Sequence, residues 1–268
     1  MKKVFKWTIL IIVAILCIAA GYAIWILTGA KTSNPDSYKT IGEIATPWGY
    51  SRMSGDDSQF TEFLRSLPLK EKGAKVQLYT GGDSRFQSIN YAVVDMPLLS
   101  NDEQCADVCM RLRAEYLYGR GEYGSIHFQN VNGKTMSYGG GGSRKAFESY
   151  MRRVYGVAST YSLKREMKQR SLSDIQPGDV FVYAAGDHDL ERKLNSKYDH
   201  AIMVVDVAEN SNGKRAFLLA EGNTPARNIH VLRNLKDPFR SPWFFLDGDE
   251  ESFFLSMFYY KANELKYW

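Results

Sequence analysis

Two residues that together can break an amide bond stand far apart in this chain. Cys105 lies in Glu103-Gln104-Cys105-Ala106-Asp107, at the start of a predicted helix. His200 opens a predicted strand, Asp199-His200-Ala201-Ile202-Met203-Val204-Val205-Asp206. A thiol is mostly protonated near neutral pH. The first turn of a helix favours the thiolate, through the helix dipole and its unpaired N–H groups. The backbone N–H of such a cysteine is also placed to stabilise an oxyanion. A buried structural thiol is the commoner fate of a lone cysteine, so the case for chemistry rests on the pairing with a base.

The strand itself predicts a third group. Alternation sets His200, Ile202 and Val204 on one face, and Ala201, Met203 and Val205 on the other. Glu209 to Lys214 reads as a hairpin loop, with Asn212-Gly213 as its turn signal. Arg215 to Glu221 is then the partner strand. Pairing about that loop brings His200 opposite residues around Glu221 to Asn223. A carboxylate or amide there would hold one imidazole nitrogen and leave the other for Cys105. The bland alternative is a surface histidine and a solvated glutamate. His127, His188 and His230 are weaker candidates: the first two fall in predicted loops and the third in a short apolar stretch. Cys105, Cys109 and His200 match no common zinc spacing. No phosphate loop, dinucleotide fingerprint or Gly-x-Ser-x-Gly elbow occurs, so neither metal nor cofactor is expected.

These residues need a frame. Ser58 to Leu67 predicts a short amphipathic helix with Phe60, Phe63, Leu64 and Leu67 inward. Lys75 to Tyr79 and Ile89 to Met96 predict strands around Gly81-Gly82-Asp83. Asn101-Asp102-Glu103 supplies a cap and an acidic first turn for a helix ending near Tyr118. Gly119 to Gly142 is glycine-rich and reads as a long loop region, a lid or rim. Lys145 to Tyr155 predicts another helix. Val180 to Tyr183, Ala201 to Val207, Ala216 to Glu221 and His230 to Leu232 predict strands. The order is α+β, with helices first and an antiparallel meander after them.

At the N-terminus, Lys2, Lys3 and Lys6 precede a run from Trp7 to Leu27 that contains no charge. A helix of that length covers about 30 Å, enough to cross a hydrocarbon core. The expectation is an uncleaved membrane anchor over 1–29, a polar linker over 30–45 and one body over 46–268. A cleavable signal is the alternative, with Ala19-Ala20-Gly21 offering small residues. Positive charge before the span predicts a single-pass protein of the cytoplasmic membrane, with its C-terminal body outside the cytoplasm. Membrane lipid is therefore the first expected partner. The net charge is +4, part of it from the three leading lysines, and no Lys/Arg block forms a nucleic-acid footprint. Cys105 and Cys109 are four apart on one helix, a spacing poorly suited to a disulfide.

Several stretches resemble a family of bacterial envelope proteins recorded as a domain of unknown function, number 4846 in its series. They include Pro47-Trp48-Gly49-Tyr50-Ser51-Arg52, Tyr91-Ala92-Val93-Val94-Asp95-Met96, Gln104-Cys105-Ala106-Asp107, Pro177-Gly178-Asp179-Val180-Phe181, the His200 strand and Ser241-Pro242-Trp243. A more distant likeness is to NlpC-type and CHAP-type cell-wall hydrolases. They too carry Cys at a helix start, then a Gly-Asp strand, then a His strand. That likeness implies a papain-like domain of helices packed on an antiparallel sheet. It implies Cys105 as nucleophile, His200 as general base and Glu221 as the orienting third group. It also implies hydrolysis of an amide bond, with peptidoglycan stem peptides as substrate. The chain departs from that pattern in three places. Glu221 stands where Gln is usual, Asp199 where Gly is usual, and the loop before His200 is longer. The alternative is a non-catalytic envelope module that binds peptide or glycan in the same groove.

Overall fold

The computed structural model describes residues 2–27, 32–184, 199–246, 252–255 and 257–268. Its N-terminal helix, α1 (Lys2–Leu27), follows from the uninterrupted apolar run and is long and apolar enough to cross a membrane, by length and composition. The rest is a mixed α+β body built around one antiparallel sheet.

The meander predicted above forms the sheet's centre: β6 (Val180–Tyr183), β7 (His200–Asn210), β8 (Arg215–Glu221) and β9 (His230–Leu232) lie side by side. β2 (Asn90–Val93) extends it beyond β9; β13 (Leu265–Tyr267) and β5 (Lys168–Gln169) extend it beyond β6. β1 (Tyr50–Arg52) pairs with the far end of β7, and β10 (Phe244–Phe245) with the start of β8. The tight turn joining β7 and β8 contains Gly213 at φ +74°, the left-handed conformation that the Asn-Gly pair provides.

Alternation along these strands feeds two cores. Ala201, Met203 and Val205 share the first with α2 (Ser58–Ser66), α3 (Cys105–Gly119), α4 (Arg144–Tyr155) and α5 (Thr160–Glu166). Ile202 and Val204 share the second with Phe181, Tyr183 and Leu219. A hairpin of β11 (Ser252–Leu255) and β12 (Phe258–Lys261) covers that second face through Leu255, Phe258 and Tyr260. α3 is the central helix, with even Asp107 and Arg111 buried. Burial of that kind requires the polar groups to be paired internally, and Arg111 meets Glu103 and Glu115.

Four expectations are corrected. Lys75 to Tyr79 is not a strand: only the isolated bridges Gln77–Asp83 and Leu78–Arg227 occur there, because two glycines at positive φ turn the chain back at once. The cap of α3 is Gln104, one residue before Cys105, since the Glu103 carboxylate is drawn inward to Arg111 and the Leu99 N–H. The glycine-rich stretch is not loop throughout. It holds a hairpin, β3 (His127–Gln129) with β4 (Thr135–Ser137), pinned by buried Ile126, Phe128 and Tyr138. Residues 32–45 are packed on the body, with Ser33, Asn34, Ile41 and Ile44 buried.

Candidate active site

α3 starts where β8 ends. Gly222 follows the last residue of β8, and a Cβ there would stand 2.5 Å from Val108 Cγ2 and 3.4 Å from the Gln104 carbonyl. Only glycine lets the helix come this close without a shift. The contact is locked by the Thr224 hydroxyl, which donates to Gln104 Oε1 at 2.7 Å. The Gln104 N–H donates to the Asp107 carboxylate at 3.0 Å, closing the first turn of the helix. Cys105 is the next residue. The first-turn N–H groups of a helix have no intrahelical acceptor, and the Cys105 N–H stands outside the Gln104–Asp107 bond.

His200 opens β7 on the face of Ile202 and Val204, and Glu221 closes β8 beside it. Nε2 of His200 and Oε2 of Glu221 form a hydrogen-bonded ion pair at 2.9 Å. The other carboxylate oxygen of Glu221 accepts from Asn223 Nδ2 at 3.1 Å and lies 3.7 Å from His230 Nε2. Cys105 lies close enough to His200 to act on its ring, and its influence favours the protonated form. With Nε2 committed to Glu221, Nδ1 is the nitrogen left for the thiol. Phe258 stacks on the imidazole, with centroids 4.3 Å apart and planes 16° apart. The Cys105 Sγ is 3.9 Å from the Thr160 hydroxyl at the start of α5.

Burial decides the electrostatics. Cys105 is 6% exposed, His200 1% and Glu221 0%. Burial alone would strip the proton from His200, but Glu221 and Cys105 outweigh it and lift the ring to a pKa of about 10. Burial likewise opposes charge on Glu221, and His200, His230 and the Asn223 amide more than offset it, holding its pKa below the ordinary value. The pair is therefore imidazolium and carboxylate. Burial pushes Asp107, one turn into α3, up to about 8. Cys109 is fully buried and its thiol is pushed well up by burial, so it stays protonated. It donates to the Cys105 carbonyl at 3.6 Å.

The structure thus brings Cys105, His200 and Glu221 into one cluster. Asn223, the alternative third residue, stands behind Glu221 rather than beside the ring. His127 lies apart, paired with Glu166 at 3.4 Å, and His188 lies outside the described residues. Sequence reasoning set His230 aside, yet it faces Glu221 with Nδ1 held 3.0 Å from the Asn228 carbonyl. The signal was its place on β9, next to β8, where Glu221 and His230 are paired residues. Tyr260 was missed altogether. Its hydroxyl is buried with no hydrogen-bond partner among the described residues, and it lies within electrostatic range of Glu221 and Cys105. Nothing local in Phe258-Tyr259-Tyr260 marks it.

Residues 41–140 and 139–267 match the family described as Domain of unknown function (4846). The chain belongs to that family. No curated protein and no solved structure matches it.

Proposed function

We propose that this member of the family is a cysteine hydrolase of papain-like arrangement. In this reading α1 anchors it in the cytoplasmic membrane, and the body acts outside on amide bonds, with peptidoglycan stem peptides as substrate. The observation that carries the proposal is the buried Cys105–His200–Glu221 relay, in which a helix-start thiol meets an imidazolium held by a carboxylate at 2.9 Å. The thiolate adds to the amide carbonyl carbon, and the oxyanion takes the N–H of Cys105. As the C–N bond breaks, His200 gives its proton to the leaving amine. A water then gives a proton to His200 and adds to the thioester, releasing the acid and the thiolate. Glu221 keeps the ring oriented throughout. The substrate class rests on compartment and on the likeness to NlpC-type and CHAP-type enzymes.

The second reading, a non-catalytic envelope module of the same fold, is favoured by the cover over the site: Phe258 lies on the ring, and little of Cys105 is exposed. Release of amines from stem peptides by the full chain separates the two. Turnover lost in both Cys105→Ser and His200→Ala, with the fold retained, supports the hydrolase. Turnover retained in either variant, or none in the wild type, removes it.

A further inference from the structure

Among the described residues, the two most exposed aromatic side chains of the body sit on neighbouring loops. Trp48 is 99% exposed and Phe239 98%. A single exposed ring is ordinary on a protein surface, but two on adjoining loops make a shared apolar feature. Their loops adjoin through a short chain of contacts. Trp243 Nε1 donates to the Ala45 carbonyl at 2.7 Å, Tyr50 meets Phe245 edge-on at 5.7 Å, and the Arg240 guanidinium lies 3.8 Å from the Phe245 ring centroid.

This corner is also where the chain joins the body. Thr32 is the first described residue after α1, and its carbonyl accepts from Arg233 Nη2 at 3.1 Å. Arg233 directly follows β9 and leads into the loop that carries Phe239. Leu27 ends α1, so five peptide steps separate it from Thr32. That tether reaches at most about 18 Å. The Tyr22 hydroxyl, within α1, donates to the Leu235 carbonyl in the same loop. Lys236 and Arg240 flank Phe239, and Arg240 pairs with Asp237.

We infer that this corner docks on the lipid bilayer, with Trp48 and Phe239 inserted at the headgroup boundary and Lys236 beside the phosphates. The inference rests on the reading of α1 as a membrane span. Tryptophan favours that boundary because its ring is apolar with one polar edge, and phenylalanine adds buried apolar area. Lysine near an anionic surface adds attraction over about a Debye length. The short tether makes the contact nearly intramolecular, so weak insertion suffices. β9 runs from this corner to His230, about 10 Å away at strand rise. Docking would therefore fix the candidate active site at a set height above the membrane.

The test uses the full chain in vesicles of zwitterionic and anionic phospholipid. The photo-crosslinker p-benzoylphenylalanine replaces Trp7, Trp48, Phe239 or Tyr161, one at a time, and lipid adducts are read by mass spectrometry. Tyr161 lies on α5, near β6 and away from the edge at β2, and is 53% exposed. Lipid adducts at Trp48 and Phe239 about tenfold above those at Tyr161 are expected, as boundary residues meet lipid and a distant surface residue does not. Adducts at Trp7 with none at Trp48 and Phe239 would overturn docking and leave the span intact. Adducts at Trp48 and Phe239 without one at Trp7 would keep docking and remove the span. Crosslinks from Phe239 to a second copy of the chain would overturn it in favour of self-association.

Discussion

His200 and Glu221 are joined at 2.9 Å although they are not cross-strand partners. The β7–β8 ladder pairs Met203 with Ala220. Continued three residues, it sets His200 opposite Asn223. The imidazole reaches Glu221 on the diagonal, within the span that long side chains cover on one face of a sheet. Asn223 then turns its amide onto Glu221 from behind.

Among the described residues, Glu221 accepts from the His200 ring and the Asn223 amide. A glutamine at 221 offers one oxygen and one N–H₂, so it sets a donor against the Asn223 donor unless Asn223 turns its amide and gives up the Thr224 N–H. Glu221→Gln is expected to lower turnover of an amide substrate by about tenfold, one lost hydrogen bond to a charged group. Adding Asn223→Asp supplies the missing acceptor and restores it. Steady-state kinetics of the two chains checks this; a double variant no better than the single one contradicts it.

Acid should stabilise this protein over an unusual range. Burial raises Glu103 and Asp179 to about 7 and Asp107 to about 8, and His200 stands at about 10. The same carboxyls titrate at about 4 when unfolded, and histidine at about 6.5. Between those limits the folded chain binds more protons than the unfolded one. Stability therefore falls as pH rises, through about 4 to 8 for the carboxyls and about 6.5 to 10 for His200. Glu221 acts in the opposite sense, losing its contribution only as pH drops through its lowered value. The Tm of the full chain in detergent should be higher near about pH 5.5 than near about pH 9. A Tm that climbs over that interval is incompatible with these shifts.

Gly222 is the seat of α3, the helix that Cys105 opens. Gly222→Ala places a Cβ 2.5 Å from Val108 Cγ2, so α3 must move or Val108 must turn. Overpacking of this kind costs about 1–3 kcal/mol. Denaturant unfolding should show that loss, and turnover should fall further than stability alone explains. A neutral Gly222→Ala chain would mean that this contact does not position Cys105.

Phe258 seals one face of the imidazole. Phe258→Ala removes the stacked ring and part of the second core, at a cost of about 3 kcal/mol. It should also expose the site, so alkylation of Cys105 should speed up. Mass-spectrometric labelling over time reads this directly; unchanged or slower labelling in the folded variant would mean that Phe258 does not control access.

The meander was legible because each of its strands is a run of alternating or wholly apolar residues bounded by turn residues, with Asn212-Gly213 fixing one register. That register carried His200 to the neighbourhood of Glu221 and Asn223. It did not separate the two, because Glu221 and Asn223 are two apart on the same strand face, and it is the diagonal reach of the imidazole that picks Glu221. The bulge between Val204 and Asp206 in β7 has no sequence mark. β11 and β12 were not foreseen, since a hairpin that lies across another layer is held by long-range packing rather than local pattern. Phe258 and Tyr260 reach the site for that reason alone. His230 was undervalued because its partner, Glu221, is set by the β8–β9 pairing, whose register the connection from Gly222 to Ile229 does not fix.

The most direct measurement is the rate of alkylation of individual thiols by iodoacetamide near neutral pH, read by peptide mass on the folded full chain. Cys105 should react in the wild type while fully buried Cys109 does not, and His200→Ala should slow Cys105 by about a hundredfold, the lower end of what a positioned acid–base partner contributes. Equal Cys105 rates in the wild type and His200→Ala, or a Cys105 that reacts only on unfolding, would contradict the thiol–imidazole relay.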